Sequence, residues 1–392
     1  MTPVALSRSP ETTTLETSSL STRLARRLDA IPAGRWLALT VPAPPAEPQA
    51  VIDAAAVVGF DVPDHGVLWR PPEGASYAAF GAAVQMDLLG PDRFTDLRRR
   101  AGHVFGRLDA DALEGAEATV PRAFGGFAFD VGAADAAPWR AFGDGCFTLP
   151  RWLYRRRDRS ADLTLTVGAD ELQAQSSGRW AELTLLLLGQ LAAASERDTS
   201  FRGARPVEVP RLVEDAGADA AWVRLVEDIR GAIHRGDVEK IVAARRFTVE
   251  LGASRPAARV LERLEQRRRA TAFAFSRPGA TFLGLTPERL ITKTGMRFVT
   301  EALAGSIESG ADHAAELLDS GKDRLEQQIV VDAILRRLEP LSERLEAADR
   351  PSVRELPEVS HLHTPIRGDL NAPRHVLELT ELLHPTPAVG GV

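Results

Sequence analysis

A chain of 392 residues, 44% of them hydrophobic, has the material for a large buried core and falls outside the disordered class. Its single cysteine, Cys146, excludes a disulfide framework or a cysteine-rich metal site and fits a reducing cytoplasm. A net charge of −6 argues against nucleic acid, whose phosphates need clustered cations, and no apolar run reaches membrane-spanning length, so small molecules are the expected partners.

The opening stretch, residues 1–32, is polar, lacks a signal-peptide core and reads as a mobile tail. Residues 33–190 carry short apolar runs broken by Gly and Pro, among them GRWLALTVPAPP, VGFDVPDHGVLWR, FGGFAFD and LTLTVG. These predict strands and turns, followed by a helix over AELTLLLLGQLAAASERD. Residues 191–215 read as a polar, proline-bearing connection, after which 216–392 alternate helices with strands.

In that second part Trp222, Leu225, Val226, Ile229 and Ile233 recur at helical spacing, with Asp219 as N-cap and Gly236 as stop. A β-branched segment, VEKIVAARRFTVEL, predicts a strand, and RPAARVLERLEQRRR a helix. A hairpin then joins ATAFAFS to ATFLGLT across residues 277–279, and a second strand pair surrounds Thr294 and Gly295. SGKDRLEQQIVVDAILRRLEPL predicts a helix capped by Ser320.

Only three of the 48 basic residues are lysine: Lys240, Lys293 and Lys322. Arginine stays protonated in a protein site, whereas a desolvated lysine loses its proton readily, so a lysine in this chain stands either by chance or where a nitrogen base is useful. Alternation puts Lys240 on one strand face with Val238, Val242 and Ala244, where it either snorkels to the sheet edge or sits desolvated as a general base. Glu326 borders the apolar stripe of its helix with Ile329, Val330 and Ala333, a costly position unless the carboxylate is paired. Its partner is either Lys322, one turn earlier, or Mg²⁺, which takes one or two protein carboxylates and fills its shell with water and substrate oxygens. Glu288 follows a proline between strands, where a carboxylate is ordinarily solvated. Gly305 and Ser306 offer backbone N–H groups to an anion, whereas His361 and His363 lack companions at metal-site spacing. The motifs of phosphate loops, dinucleotide folds, zinc proteases and serine hydrolases are absent.

In order and approximate spacing, KIVAARR, FLGLTPERL, EALAGS, SGKDRLEQQIVVDAI, HLHTPIRG and LLHPTPAVGG resemble chorismate-utilising enzymes, isochorismate synthases above all. The likeness spans residues 216–392, and FGGFAFD with LPRWLYRRR resembles the family's less distinctive N-terminal half. The resemblance implies an α+β fold in which two antiparallel sheets stack with helices outside, as one large unit. It also implies isomerisation of chorismate to isochorismate. Lys240 would be the base that activates water for attack at C2, Glu288 the acid that protonates the departing C4 hydroxyl, and Glu326 a ligand of Mg²⁺. Gly305 and Ser306 would lie near the metal and the substrate carboxylate, while His361, Thr364, Ala388 and Val389 would line the substrate pocket. Relatives that add ammonia carry glutamine where this chain has Lys240, so no glutaminase subunit is expected and the chain is read as a cytoplasmic monomer. The resemblance leaves open a salicylate synthase, which also eliminates pyruvate, and does not choose between menaquinone and siderophore biosynthesis. The family pattern continues beyond PAVGGV into a second metal-binding glutamate and substrate anchors, so the supplied chain is expected to be truncated, with a catalytically incomplete fold as the further alternative.

Overall fold

The computed structural model describes residues 10–60, 65–196, 211–213, 217–251, 270–310 and 313–390, together with positions 257, 260, 261 and 264. In chain order the helices are α1 (Pro10–Asp29), α2 (Pro48–Val58), α3 (Arg93–Phe105), α4 (Ser177–Glu196), α5 (Ala218–Arg235), α6 (His313–Asp319), α7 (Gly321–Leu338) and α8 (Val376–Leu383). The strands are β1 (Trp36–Pro42), β2 (Val67–Arg70), β3 (Ser76–Leu88), β4 (Leu108–Ala112), β5 (Phe124–Phe127), β6 (Gly145–Arg157), β7 (Ser160–Gly168), β8 (Arg211–Val213), β9 (Thr248–Glu250), β10 (Thr271–Arg277), β11 (Ala280–Thr286), β12 (Thr292–Thr294), β13 (Arg297–Glu308), β14 (Ser342–Ala347), β15 (Ser352–Glu355) and β16 (Val359–Leu370). This is the α+β class that the sequence predicts.

Contacts divide the chain into two compact units, Met1–Arg202 with Thr271–Leu285, and Gly203–Ala270 with Thr286–Val392. In the first, a nine-stranded sheet runs β11-β10-β2-β3-β6-β7-β1-β4, with β5 paired to β6. Its long strands are buried in continuous runs, among them Tyr77–Phe80 of β3 and Leu163–Gly168 of β7, and Phe80, Trp152 and Tyr154 are fully buried. The Tyr154 hydroxyl, which would be costly to bury unpaired, accepts the Ala46 N–H at 2.7 Å and donates to the Pro44 carbonyl. Two expectations are corrected here. The sheet is not purely antiparallel, because β1 pairs β4 in parallel. Nor is the stretch 1–32 a tail throughout: Pro10–Asp29 is a helix packed on α4, with Leu24 and Leu28 wholly buried. A polar composition hid two leucines one helical turn apart.

The connection expected at 191–215 contains the division, yet the first unit is not continuous in sequence. The β10–β11 hairpin, turned by Gly279 at φ +75°, returns to it through pairing of Ala272–Phe275 with Val67–Arg70. A cut after residue 215 would therefore strip two strands from the nine-stranded sheet.

In the second unit a five-stranded sheet runs β12-β13-β16-β14, with β15 paired to β16. The helix α7 packs across β13 and β16, and Phe298, Ala302, Val330, Ile334, Leu338, Ile366, Leu370, Leu379 and Leu383 form the core. Ser320 caps α7, its hydroxyl accepting the Asp323 N–H at 3.2 Å, as the sequence predicts. The predicted helix over 218–235 is also present, but its N-cap is Gly217, and Asp219 lies in the first turn, 2.5 Å from Arg245. Of the predicted apolar stripe of that helix, Leu225 and Ile233 are exposed rather than buried. The predicted strand over 238–251 forms a ladder only at Thr248–Glu250, which pairs with β8. Around Lys240 there is an isolated bridge at Ile241 but no ladder, and Val242 N donates to the Gly390 carbonyl at 2.9 Å. The helix predicted over 255–269 lies outside the described residues apart from isolated positions.

Candidate active site

Lys240 is 8% exposed, so it is not a snorkelling surface lysine. Its Nζ donates to the Pro387 carbonyl at 2.5 Å and lies 3.5 Å from Glu326 Oε1. Lys322, the partner expected from within the chain, approaches the other Glu326 oxygen at 3.8 Å, and Lys240 is a second cation that the sequence did not pair with it. Lys322 is largely in solvent and contributes little, whereas the Lys240 contact is withdrawn from water and correspondingly stronger.

Glu288 is half-buried in the irregular segment between β11 and β12, not solvated as its turn position suggests. Burial pushes its carboxyl above the ordinary range, the negative charge of Glu301 pushes in the same direction, and the positive charge of Lys240 opposes them. The charge of the buried amine thus reaches the raised acid within one unit.

Gly305 sits at the bulge that shifts the β13–β16 register between Ala304 and Ser306. Its φ of +66° and a Cβ position only 2.9 Å from Asp323 Cβ both demand glycine. Gly305→Ala is expected to cost about 1–3 kcal/mol, read as a lowered denaturant midpoint at unchanged slope. The bulge turns Ser306 toward His361, whose Nδ1 is 2.9 Å from Ser306 Oγ and 3.3 Å from the Gly305 carbonyl. Burial lowers the His361 pKa, while the Gly305 contact works against that shift, so the imidazole is favoured in its neutral form near neutral pH. Among the described residues no three His, Cys, Asp or Glu side chains converge as a ready-made metal cage.

Residues 26–392 match the family described as chorismate binding enzyme. The chain belongs to the chorismate binding enzyme family. A Pseudomonas aeruginosa protein named "Salicylate biosynthesis isochorismate synthase" is 36% identical over 332 residues, which are 82% of this chain and 67% of that one. "Isochorismate synthase MenF" of Bacillus subtilis is 31% identical over 281 residues, 69% of this chain and 57% of its own. This chain therefore spans only about two thirds or less of these relatives' length. The solved structure of MenF from Escherichia coli superposes with a TM-score of 0.69 over 95% of this chain and 80% of that one; at 23% identity the likeness establishes a shared fold.

In this chorismate binding enzyme the remaining sequence-predicted residues divide. Thr364 is buried, and its hydroxyl accepts the Gln327 amide at 2.9 Å. Ala388 packs against the core cluster, and Val389 is 48% exposed. Sequence reasoning passed over Gln327 itself, which sits beside Glu326 and is almost fully buried. Its Oε1 accepts the Ala304 N–H at 2.8 Å, and its Nε2 reaches the Ala302 carbonyl at 3.1 Å. One amide thereby ties the start of α7 to β13 and β16 and sets where Glu326 stands.

Sequence reasoning also passed over Glu301 and Arg354. Arg354 meets Glu301 through two hydrogen bonds of 2.9 Å, and His363 Nε2 lies 3.0 Å from the same carboxylate. That nitrogen is also 2.8 Å from Arg354 Nη2, so it either donates to Glu301 or accepts from Arg354. Burial alone would raise the Glu301 pKa, but hydrogen bonds from His363 and Arg354, together with the Arg354 charge, bring it down to about 2 from an ordinary 4.5. A carboxyl whose folded value is depressed contributes stability that is present above its ordinary pKa and lost as pH falls toward the folded one. Acid unfolding between pH 4.5 and about 2 is therefore expected to remove on the order of 3 kcal/mol that Glu301→Gln does not possess to lose, seen as a flatter pH dependence of the variant's melting temperature.

Proposed function

We propose that this protein is an isochorismate synthase, converting chorismate to isochorismate. The observation carrying this reading is the buried Lys240 amine held beside Glu326 and acting on a half-buried Glu288 whose pKa is raised. An amine and a protonated carboxyl are the base and acid that the isomerisation requires. In the proposed reaction Lys240 takes a proton from water as that water bonds to C2. The ring double bonds shift, and the C4 oxygen leaves with the proton of Glu288. One water enters and one departs, so the change is an isomerisation without oxidation or reduction. Ser306 and the backbone at Gly305, beside His361, present donors suited to a substrate carboxylate.

Glu326 fits a role as one ligand of Mg²⁺: its carboxylate retains 30% side-chain exposure, leaving room for water and substrate oxygens around a hard cation. When bound, Mg²⁺ would supply positive charge opposite a substrate carboxylate. Glu326→Gln is expected to raise the Mg²⁺ concentration needed for half-maximal activity by about tenfold or more, since the carboxylate is a charged ligand. An unaltered metal titration would remove Glu326 from the site.

The test of function is incubation with chorismate and Mg²⁺, followed by chromatography of the products. Isochorismate alone supports the reading, salicylate with pyruvate would replace it by a lyase, and unchanged chorismate would refute it for this chain.

A further inference from the structure

We propose that Glu301 and Arg354 are positioning residues that fix Glu288 by gripping the peptide groups on either side of it. The inference rests on the reading of Glu288 as the acid. Arg354 Nη1 donates to the Pro287 carbonyl at 2.7 Å, immediately before Glu288. Glu301 Oε1 accepts the Arg289 N–H at 3.0 Å, immediately after it. The N–H of Glu288 itself donates to Thr286 Oγ1 at 3.2 Å. An irregular segment would otherwise let its side chain wander; here its backbone is bonded before, at and after the residue that must hold a proton in place.

The anchor is itself rigid. Glu301 lies in β13 opposite Pro365, and Arg354 lies in β15 opposite His361, so both are mounted on β16. The bidentate pair is mostly buried and leaves one Arg354 N–H for the Pro287 carbonyl. A lysine cannot reproduce that fork, because a point charge does not span two carboxylate oxygens and a carbonyl with fixed geometry. The Glu301 charge has a second effect: it favours the protonated form of Glu288, which is the form an acid needs.

A merely structural ion pair would alter stability alone, so the test reads position and protonation. In Arg354→Lys, which retains the charge, kcat with chorismate is expected to fall about 10–100-fold while KM changes less than about threefold. In Glu301→Gln, the Glu288 carboxyl, followed by ¹³C NMR, is expected to titrate at lower pH than in the wild type. Because that titration needs no turnover, it also reads the inference independently of activity, and Arg354→Lys gives a milder lesion should Glu301→Gln fail to fold. Hydrogen exchange at the Arg289 amide in Arg354→Lys is expected to accelerate for the same reason. Folded variants with unchanged Glu288 titration and unchanged Arg289 exchange would overturn the inference. Full turnover by Glu288→Gln would instead defeat the reading of Glu288 as the acid, leaving the NMR and exchange results to judge the anchoring.

Discussion

Lys240→Gln is expected to lower isochorismate formation by about 10²–10⁴-fold, the range that a lost general base commands, while chorismate binding stays close to that of the wild type. Glutamine is shorter than lysine, but its amide can still donate toward the Pro387 carbonyl that Lys240 Nζ holds at 2.5 Å. What it cannot do is accept a proton from water. The Glu326 carboxylate loses a buried partner at 3.5 Å and keeps Lys322, so the variant folds and the effect falls on kcat rather than KM. Single-turnover chromatography of the products, with calorimetry of chorismate binding, separates the two; unchanged turnover would strike Lys240 from the mechanism.

The sequence made Lys240 conspicuous for a compositional reason, namely that arginine supplies nearly every other cation in the chain. Its surroundings were less visible. The strand predicted from alternation gives way to irregular chain with a single bridge at Ile241, because a ladder needs a partner strand, and here the backbone bond found is that of Val242 to Gly390. Local signals did carry the Ser320 cap, the α7 helix and the β10–β11 hairpin, each of which depends on neighbours a few residues apart. The Glu301–Arg354 pair joins residues 53 apart in sequence, and Gln327 reaches Thr364 across 37. No periodicity reports such distances. A hint nonetheless stood in EALAGS: β13 is buried continuously from Thr300 to Gly305, and a carboxylate inside such a run must have partners. The helix α5 shows the opposite failure, since its apolar spacing gives a correct helix without saying what its apolar side chains meet.

Glu288→Gln is expected to abolish turnover to a similar extent, about 10²–10⁴-fold, and at the same time to stabilise the fold at neutral and alkaline pH. Glutamine copies the shape of the protonated carboxyl and its ability to donate a hydrogen bond, so substrate binding should survive. It has no proton to release to the C4 oxygen. The stability effect follows from the raised pKa. Burial and the Glu301 charge make the folded protein bind this proton more tightly than the unfolded chain does, so Glu288 contributes stability below its ordinary pKa that is lost as pH rises through the folded value. Above that value the wild type carries an ionised carboxylate in a site that disfavours it, and the variant does not. Melting temperatures of the two proteins should therefore lie closer together in acid and separate in favour of Glu288→Gln as pH rises. A glutamate retained only for structure would show the reverse, losing stability on substitution at every pH. An inactive variant that melts later than its parent identifies Glu288 as a group kept at a cost to the fold because the reaction needs its proton.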